Sequence, residues 1–402
     1  MASTSFFDDQ ETRSADQRAA DQSALLRSRL AAISEAPAQW RDAAATVQTA
    51  ADLVALPVLR KSDLSGWQKQ NPPFGGIAVS NVTHVFQSPG PIYEPGSTSV
   101  ADFWRMGRFL NAAGFGADDI VQNCFGYHLT PAGHMFESGA RAVGAKVLPA
   151  GTGQTELQVR AAVDIGTTGY AGTPDYLKII LEKADEMGET LKITKAAVGG
   201  GALFPSLRSY YIDRGIACLQ CYATADLGNI AYESPAMEGM IVDEGVIVEI
   251  VTPGTGDPVA PGEVGEVVVT SLNPDYPLIR FATGDLSAAM DGTSPCGRTN
   301  MRIKGWMGRA DQTTKIKGMF VRPEQVAELV AHHAEVVKAR VVASRAGEQD
   351  VMTVQIEASG GDADAYAQSV QQLLKLKGKI EVVAPGSLPK DGLVIEDQRS
   401  YD

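Results

Sequence analysis

The chain has 402 residues, 44% of them hydrophobic and 21% charged, with a formal net charge of −13 and a sequence pI near 4.9. That length suffices for two or three soluble domains. The acidic balance excludes a general binder of nucleic acid or of anionic membranes, because polyanions reward clustered Lys and Arg; a local anion site stays open.

The N-terminus, "MASTSFFDDQETRSADQRAADQ", lacks the basic flank and apolar core of a signal peptide. No apolar run approaches the ~20 residues that span a bilayer. Four cysteines make no disulfide framework, so a cytoplasmic location is expected. Leu25, Leu26, Leu30 and Ile33 recur at helical spacing, and residues 1–50 read as an N-terminal helical segment.

From about 100 to 250 helical patterns alternate with short apolar runs. "VADFWRMGRFLNAAGF", "AGHMFESGARAVG", "TELQVRAAVDIG" and "DYLKIILEKADEMG" read as helices. "DIVQNCFGY", "AKVLPAG", "TGYAGTP", "KAAVGGG" and "IACLQCYAT" read as strands. Such alternation predicts βαβ units and a mostly parallel sheet. Cys218 and Cys221 form a C-x-x-C, but inside a strand-like run rather than at a helix start, where a redox pair sits. They read as buried structural thiols.

Near 239 the character changes. "GMIVDEGVIVEIV" is two β-branched runs around Asp-Glu-Gly, a hairpin signal, and "PGEVGEVVVTSL" supplies a further strand. After "GRADQTTKIKG" the pattern runs helix, two strands, helix and strand. The expected fold class is α/β. A large domain spans 51–310, with a β-rich subdomain at about 239–300, and a small α+β domain spans 311–402.

Several stretches together resemble the phenylacetate–CoA ligase branch of the adenylate-forming enzymes. They are "TPAGHMFESGARAVGAKVLPAGTGQTELQ", "YAGTPDYLKIILEKADEMG", "GEVGEVVVTSL", "YPLIRFATGDL", "SPCGRT" and "GRADQTTKIKGMFVRPEQV", in family order. The resemblance covers about residues 50 to 399. It implies an enzyme that makes an acyl-AMP from ATP and a carboxylic acid and passes the acyl group to CoA. It also implies a small C-terminal domain that turns about a hinge between the two steps, with a homodimer as the family's suggestion for assembly.

By that resemblance Asp285 accepts hydrogen bonds from the ribose hydroxyls, a role suited to two carboxylate oxygens. Arg280 has two readings, meeting a phosphate or holding Asp285. Arg309 lies near ribose or phosphate, and Asp311 is the hinge. In "CYATADLG", Tyr222 packs on adenine. Asp226 replaces the family's Mg²⁺-binding glutamate with a carboxylate one methylene shorter, which leaves Mg²⁺ doubtful. Phe125, Tyr127 and His128 are candidates for the acyl pocket, with core packing the competing reading for Phe125 and a structural role for His128.

The departures concern phosphate. The family loop SSGTTGKP here reads "SPGPIYEP": Ser88 and Gly90 persist, Pro89 and Pro91 donate no N–H, and Glu94 stands where the lysine was. Two unit charges about 5 Å apart interact by roughly 3 kcal/mol at an effective dielectric of 20, so the exchange reverses a substantial attraction. At the C-terminus, "GSLPKDGLVIEDQRS" puts Leu393 near the family's catalytic lysine, leaving Lys390 as a nearby substitute. Only Cys296 survives of a zinc ligand set some relatives carry, so no zinc is expected. Three readings follow: an acid–CoA ligase working through acyl-AMP; a relative without ATP activation that binds an acid, nucleotide or acyl-CoA or serves a partner; and an enzyme of preformed acyl-CoA or acyl-AMP.

Overall fold

Apolar runs bounded by Gly and Pro become short strands, and the periodic segments between them become helices. The structure, a computed structural model, describes residues 6–31, 41, 45–77, 79, 81–98, 101–310, 312–317, 319–346 and 349–399. The chain divides into two units: Met1–Val248, Val268–Thr283 and Met290–Trp306 form one, and Glu249–Val267, Gly284–Ala289 and Met307–Asp402 the other. The segment 239–300 is therefore shared between units.

In the first unit β1 (Val82–Ser88) and β2 (Ile92–Ser97) form an antiparallel pair. The strands β3 (Ile120–Asn123), β4 (Lys146–Pro149), β5 (Gly169–Gly172), β6 (Lys195–Val198) and β7 (Ala217–Thr224) are parallel, side by side in the order β7-β6-β5-β3-β4. Helices Ala132–Ala142, Thr155–Ile165, Pro174–Met187 and Pro205–Asp213 connect them. Every residue of β5 is buried, as a parallel strand covered on both faces requires. The helix Pro174–Met187 shows the local logic. Proline opens it, Gly188 closes it at φ +70°, and Leu177, Ile180, Leu181 and Ala184 bury one stripe.

Two expectations are corrected here. Among the described residues of the run 100–115, only Met106–Ala112 are helical, because Arg105 takes a left-handed conformation at φ 61° and the helix begins after it. The runs around Asp243 form no hairpin. β8 (Gly228–Tyr232) pairs with β7, and β9 (Met240–Val242) pairs with β8 and with Arg302–Ile303. The run Val246–Val251 (β10) instead neighbours Val264–Ser271 (β11). Asp243 is fully buried and bonded to Arg105 and the Gly245 amide, so it anchors a corner where a hairpin acid would be solvated. Strands β10, β11 and Phe281–Met290 (β12) each carry residues of both units.

In the second unit, strand Thr314–Ile316 pairs with strand Met319–Val321. The helix Pro323–Ala331, strands Val336–Ala346 and Gln349–Ala358, helix Ala363–Leu374 and strand Lys379–Val383 follow as the sequence predicts. Strand Ile395–Asp397 adds in parallel to Val336–Ala346. Its core gathers Leu329, Val341, Val354, Ile356, Tyr366, Val370 and Leu374. Among the described residues no helix is long and apolar enough to cross a membrane.

Candidate nucleotide and acyl site

The stretch read as a phosphate loop is the end of the β1–β2 hairpin. Ser88 pairs with Ile92, Gln87 with Tyr93 and Phe86 with Glu94, so only Pro89, Gly90 and Pro91 lie between the strands. Along β2 Ile92 faces in, Tyr93 out and Glu94 in, the ordinary alternation of a strand. Glu94 is thus 1% exposed. Burial first, and the charge of Asp226 second, push its carboxyl up to about 7, against smaller opposing pulls from Ser88 and Lys61. This corrects the reading of Glu94 as a fixed negative charge facing the phosphates: it is an interior acid whose burial favours the protonated form.

Asp226 sits in the turn between β7 and β8, its side chain 1% exposed. Lys61, on the helix Lys61–Gln70, reaches it with Nζ 3.1 Å from Oδ2. Neither carboxylate accepts a well-aligned hydrogen bond. Burial raises the Asp226 carboxyl and Lys61 opposes the rise. Tyr276 is buried close enough to feel both acids, its phenol raised by burial first and then by Asp226 and Glu94. Gln68, on the helix with Lys61, ties down the hairpin: Tyr93 N donates to its Oε1 at 2.8 Å and its Nε2 donates to Tyr93 O at 2.7 Å. Sequence reasoning missed Lys61 and Tyr276. They are 165 and 50 positions from Asp226, and no local pattern announces them.

Tyr222 lies half-buried on β7, where a register shift between Tyr222 and Ala223 bends the strand. Phe125 is buried and stacks on Phe136, ring centroids 4.2 Å apart. Tyr127 accepts a hydrogen bond from Asn123 Nδ2 at 2.8 Å and meets the His134 ring edge-on at 5.2 Å. His128 is exposed. Arg280 is 2% exposed, with a left-handed backbone at φ 48°, and donates to Leu56 O at 2.6 Å and Val54 O at 3.4 Å. Those bonds tie the 54–56 segment to this strand entry.

In the second unit Arg309 Nη1 donates to Asp285 Oδ1 at 2.8 Å, and the two residues form an antiparallel bridge. The Asp285 side chain is 12% exposed and that of Arg309 57%. Gly284, at φ +74°, makes room: a Cβ there would lie 2.8 Å from Arg309 Nη2. Asp311 falls outside the described residues. Gln312, next in the chain, holds the C-terminal segment, donating to Gly392 O at 2.9 Å and accepting from Ile395 N at 2.7 Å. Lys390 is 68% exposed, with Nζ 3.4 Å from Glu263 Oε1. Leu393 is half-buried.

The first unit therefore brings Ser88, Glu94 and Asp226 into one neighbourhood with Lys61, and the second joins Asp285 to Arg309. The residues present do not fit Mg²⁺ held by Asp226, because an ammonium group already stands against its buried carboxylate. Among the described residues no cluster of three or more His, Cys, Asp or Glu could hold a metal ion. All four cysteines are buried free thiols. Cys296 has Ser294 Oγ at 3.1 Å and Arg298 Nη1 at 3.6 Å beside it.

No protein-family model matches the chain. The phenylacetate-coenzyme A ligase of Escherichia coli (strain K12) is 30% identical over 328 residues, 76% of this chain and 73% of its own. The phenylacetate-coenzyme A ligase of Thermus thermophilus is 29% identical over 330 residues, 77% of this chain and 72% of its own. A crystal structure of 2-hydroxyisobutyryl-CoA ligase, in an open conformation with 2-HIB-AMP and CoA, superposes with a TM-score of 0.71. The match covers 94% of this chain and 91% of that one at 22% identity. At that identity the likeness carries the fold.

Proposed function

The chain belongs to the phenylacetate–coenzyme A ligase family, and on that premise we propose that it is an AMP-forming acid–CoA ligase acting on a small, aromatic carboxylic acid. In that reaction the substrate carboxylate attacks the α-phosphorus of ATP, forming acyl-AMP and releasing pyrophosphate. The CoA thiolate then attacks the acyl carbon, forming the thioester and releasing AMP. The observation that carries the proposal for this chain's own residues is the Asp285–Arg309 pair at 2.8 Å. Arg309 donates to one carboxylate oxygen and fixes the group's orientation, and a carboxylate suits a vicinal diol because its oxygens accept several hydrogen bonds. Tyr222 offers a flat face to adenine, Phe125 and Tyr127 an aromatic wall to the acid, and Lys390 is the C-terminal cation.

The closed hairpin favours a second reading of the first step. Pro89 and Pro91 have no N–H to give, and Glu94 lies inside the fold, so the triphosphate receives few of the donors that such loops supply. In this second reading the enzyme takes a preformed acyl-AMP or acyl-CoA in place of ATP plus acid. Two assays separate the readings: ATP–pyrophosphate exchange with phenylacetate or benzoate, and thioester formation from phenylacetyl-AMP with CoA. We expect weak exchange beside measurable thioester formation. Strong exchange would restore the full two-step reaction, and inactivity in both assays with no binding of AMP or CoA would leave a partner role.

A further inference from the structure

Arg105 departs from what its sequence neighbours want. It lies in a run patterned for helix, yet its backbone is left-handed at φ 61°, ψ 31°, a conformation that a long side chain disfavours and that marks a position held by its surroundings. The side chain is 13% exposed. Its Nη2 donates to Leu227 O through a short bond and to Asn229 O at 3.1 Å, and its Nε donates to Asp243 Oδ1 at 3.1 Å. The grip is returned, because Asn229 Nδ2 donates to Arg105 O at 3.3 Å and Asn229 N to Trp104 O at 2.9 Å. Two glycines give way to it. A Cβ at Gly245 would lie 2.4 Å from Arg105 Cδ, and one at Gly228 would lie 2.7 Å from Trp104 O.

Leu227, Gly228 and Asn229 close the turn that carries Ala225 and Asp226 between β7 and β8. On the N-terminal side the turn has a lighter tie, Leu227 N donating to Thr224 Oγ1 at 3.2 Å. Asp243, fully buried, fixes the guanidinium from behind, and Arg108 Nη1 stands 3.4 Å from its other oxygen. The chain from Asp243 through Arg105 to the Leu227 and Asn229 carbonyls consists of charge-assisted bonds in a water-poor interior, where they are stronger than in solvent.

We propose that Arg105 is a positioning residue for the nucleotide site: it touches no substrate, and clamps the turn that follows Tyr222 so that Tyr222 meets the nucleotide in one geometry. The inference rests on the family reading of that turn. Lysine at position 105 cannot make the forked contact to two carbonyls and a carboxylate, so Arg105→Lys keeps the charge and loosens the clamp.

The test compares the full-length protein with Arg105→Lys and Arg105→Gln by hydrogen exchange over 224–229 and by AMP titration. A clamp predicts faster exchange in that segment, unchanged exchange in the helix Pro174–Met187, and AMP affinity lower by roughly tenfold or more, about the weight of one charge-assisted hydrogen bond. In steady state the loss falls on the KM for nucleotide, with the KM for acid unmoved, and Arg105→Lys retains more affinity than Arg105→Gln. Unchanged exchange over 224–229 in both variants would overturn the clamp. Faster exchange with unchanged AMP affinity would overturn its role in positioning. If the unsubstituted protein binds no AMP, the family reading of the turn fails, and with it the positioning role, while exchange still decides the clamp.

Discussion

Lys61 Nζ stands 3.1 Å from Asp226 Oδ2, the lysine side chain 48% exposed and the aspartate's 1%. The pair joins the helix Lys61–Gln70 to the β7–β8 turn and gives a buried carboxylate its nearest cation. Glu94 shares the same interior, so two acids compete for one ammonium group. The competition explains why burial and Asp226 together raise the Glu94 carboxyl while Lys61 pulls the other way.

Stability falls as pH rises through this pair. Glu94 has a raised folded-state pKa, about 7 against 4.5, so the folded state binds more protons between those values and its stabilising share is fully present only below the lower one. The difference weighs about 3 kcal/mol at alkaline pH. Glu94→Gln, which mimics the protonated acid, should raise Tm at pH 8 by several degrees and leave it nearly unchanged at pH 5. A lower Tm for Glu94→Gln at pH 8 would contradict the interior placement of the charge.

Lys61→Met removes the cation that opposes the burial-driven rise of the Asp226 carboxyl. Since Lys61 is half in solvent, the expected loss is about 1 kcal/mol at pH 7, accompanied by an upward move of the Glu94 titration. Urea denaturation across pH 5 to 8 reads both effects, and the loss should vanish in Lys61→Met/Asp226→Asn.

Asp285→Asn removes the charge of the carboxylate that Arg309 orients, and AMP affinity should drop roughly tenfold or more by calorimetry. Gly284→Ala strikes the same pair from the backbone. It puts a methyl 2.8 Å from Arg309 Nη2 at a φ of +74°, should cost about 1 kcal/mol or more, and should weaken AMP in step with Arg309→Ala.

In the second unit Arg340 is 4% exposed and meets Asp391 Oδ2 at 2.9 Å and Glu396 Oε2 at 2.6 Å. Those bonds pin the segment that carries Lys390 and Leu393. Arg340→Met is expected to destabilise the unit by about 2 kcal/mol, less than for a fully buried network because both acids are partly exposed. Lys390→Ala, far out in solvent, should leave Tm within about 0.5 kcal/mol equivalent. Acyl-adenylate formation, followed by hydroxamate trapping, should fall about tenfold in it if Lys390 stabilises the developing charge; an unchanged rate removes it from the site.

Much of this was legible in the residues. The βα alternation from "DIVQNCFGY" to "IACLQCYAT" appears strand for strand, because each apolar run is short and each helix has a clean stripe such as Leu177, Ile180, Leu181 and Ala184. Asp285 and Arg309 were picked out by two motifs 24 positions apart, but their pairing was not: Arg280 was the arginine read as holding Asp285, and the bridge joins it to Arg309. The inward turn of Glu94 was hidden by treating 88–95 as a loop. Its signal was there in the alternation Ile92, Tyr93, Glu94, which puts the acid on the same side as Ile92 once the segment is a strand. Asp243 misled for the opposite reason: Asp-Glu-Gly is good turn chemistry, and only the arrival of Arg105 and Arg108 from elsewhere turns the aspartate inward. Long-range partners of that kind leave no trace in a local window.

Strand β7 carries Cys218 and Cys221 three positions apart, an odd separation that sends the two sulfurs to opposite sides of the sheet. Burial keeps both thiols protonated, Cys218 up to about 12. A bond between them would require the sheet to be turned through itself, so this pair is built to ignore mild oxidants. No disulfide between Cys218 and Cys221 should form when the folded protein is exposed to air.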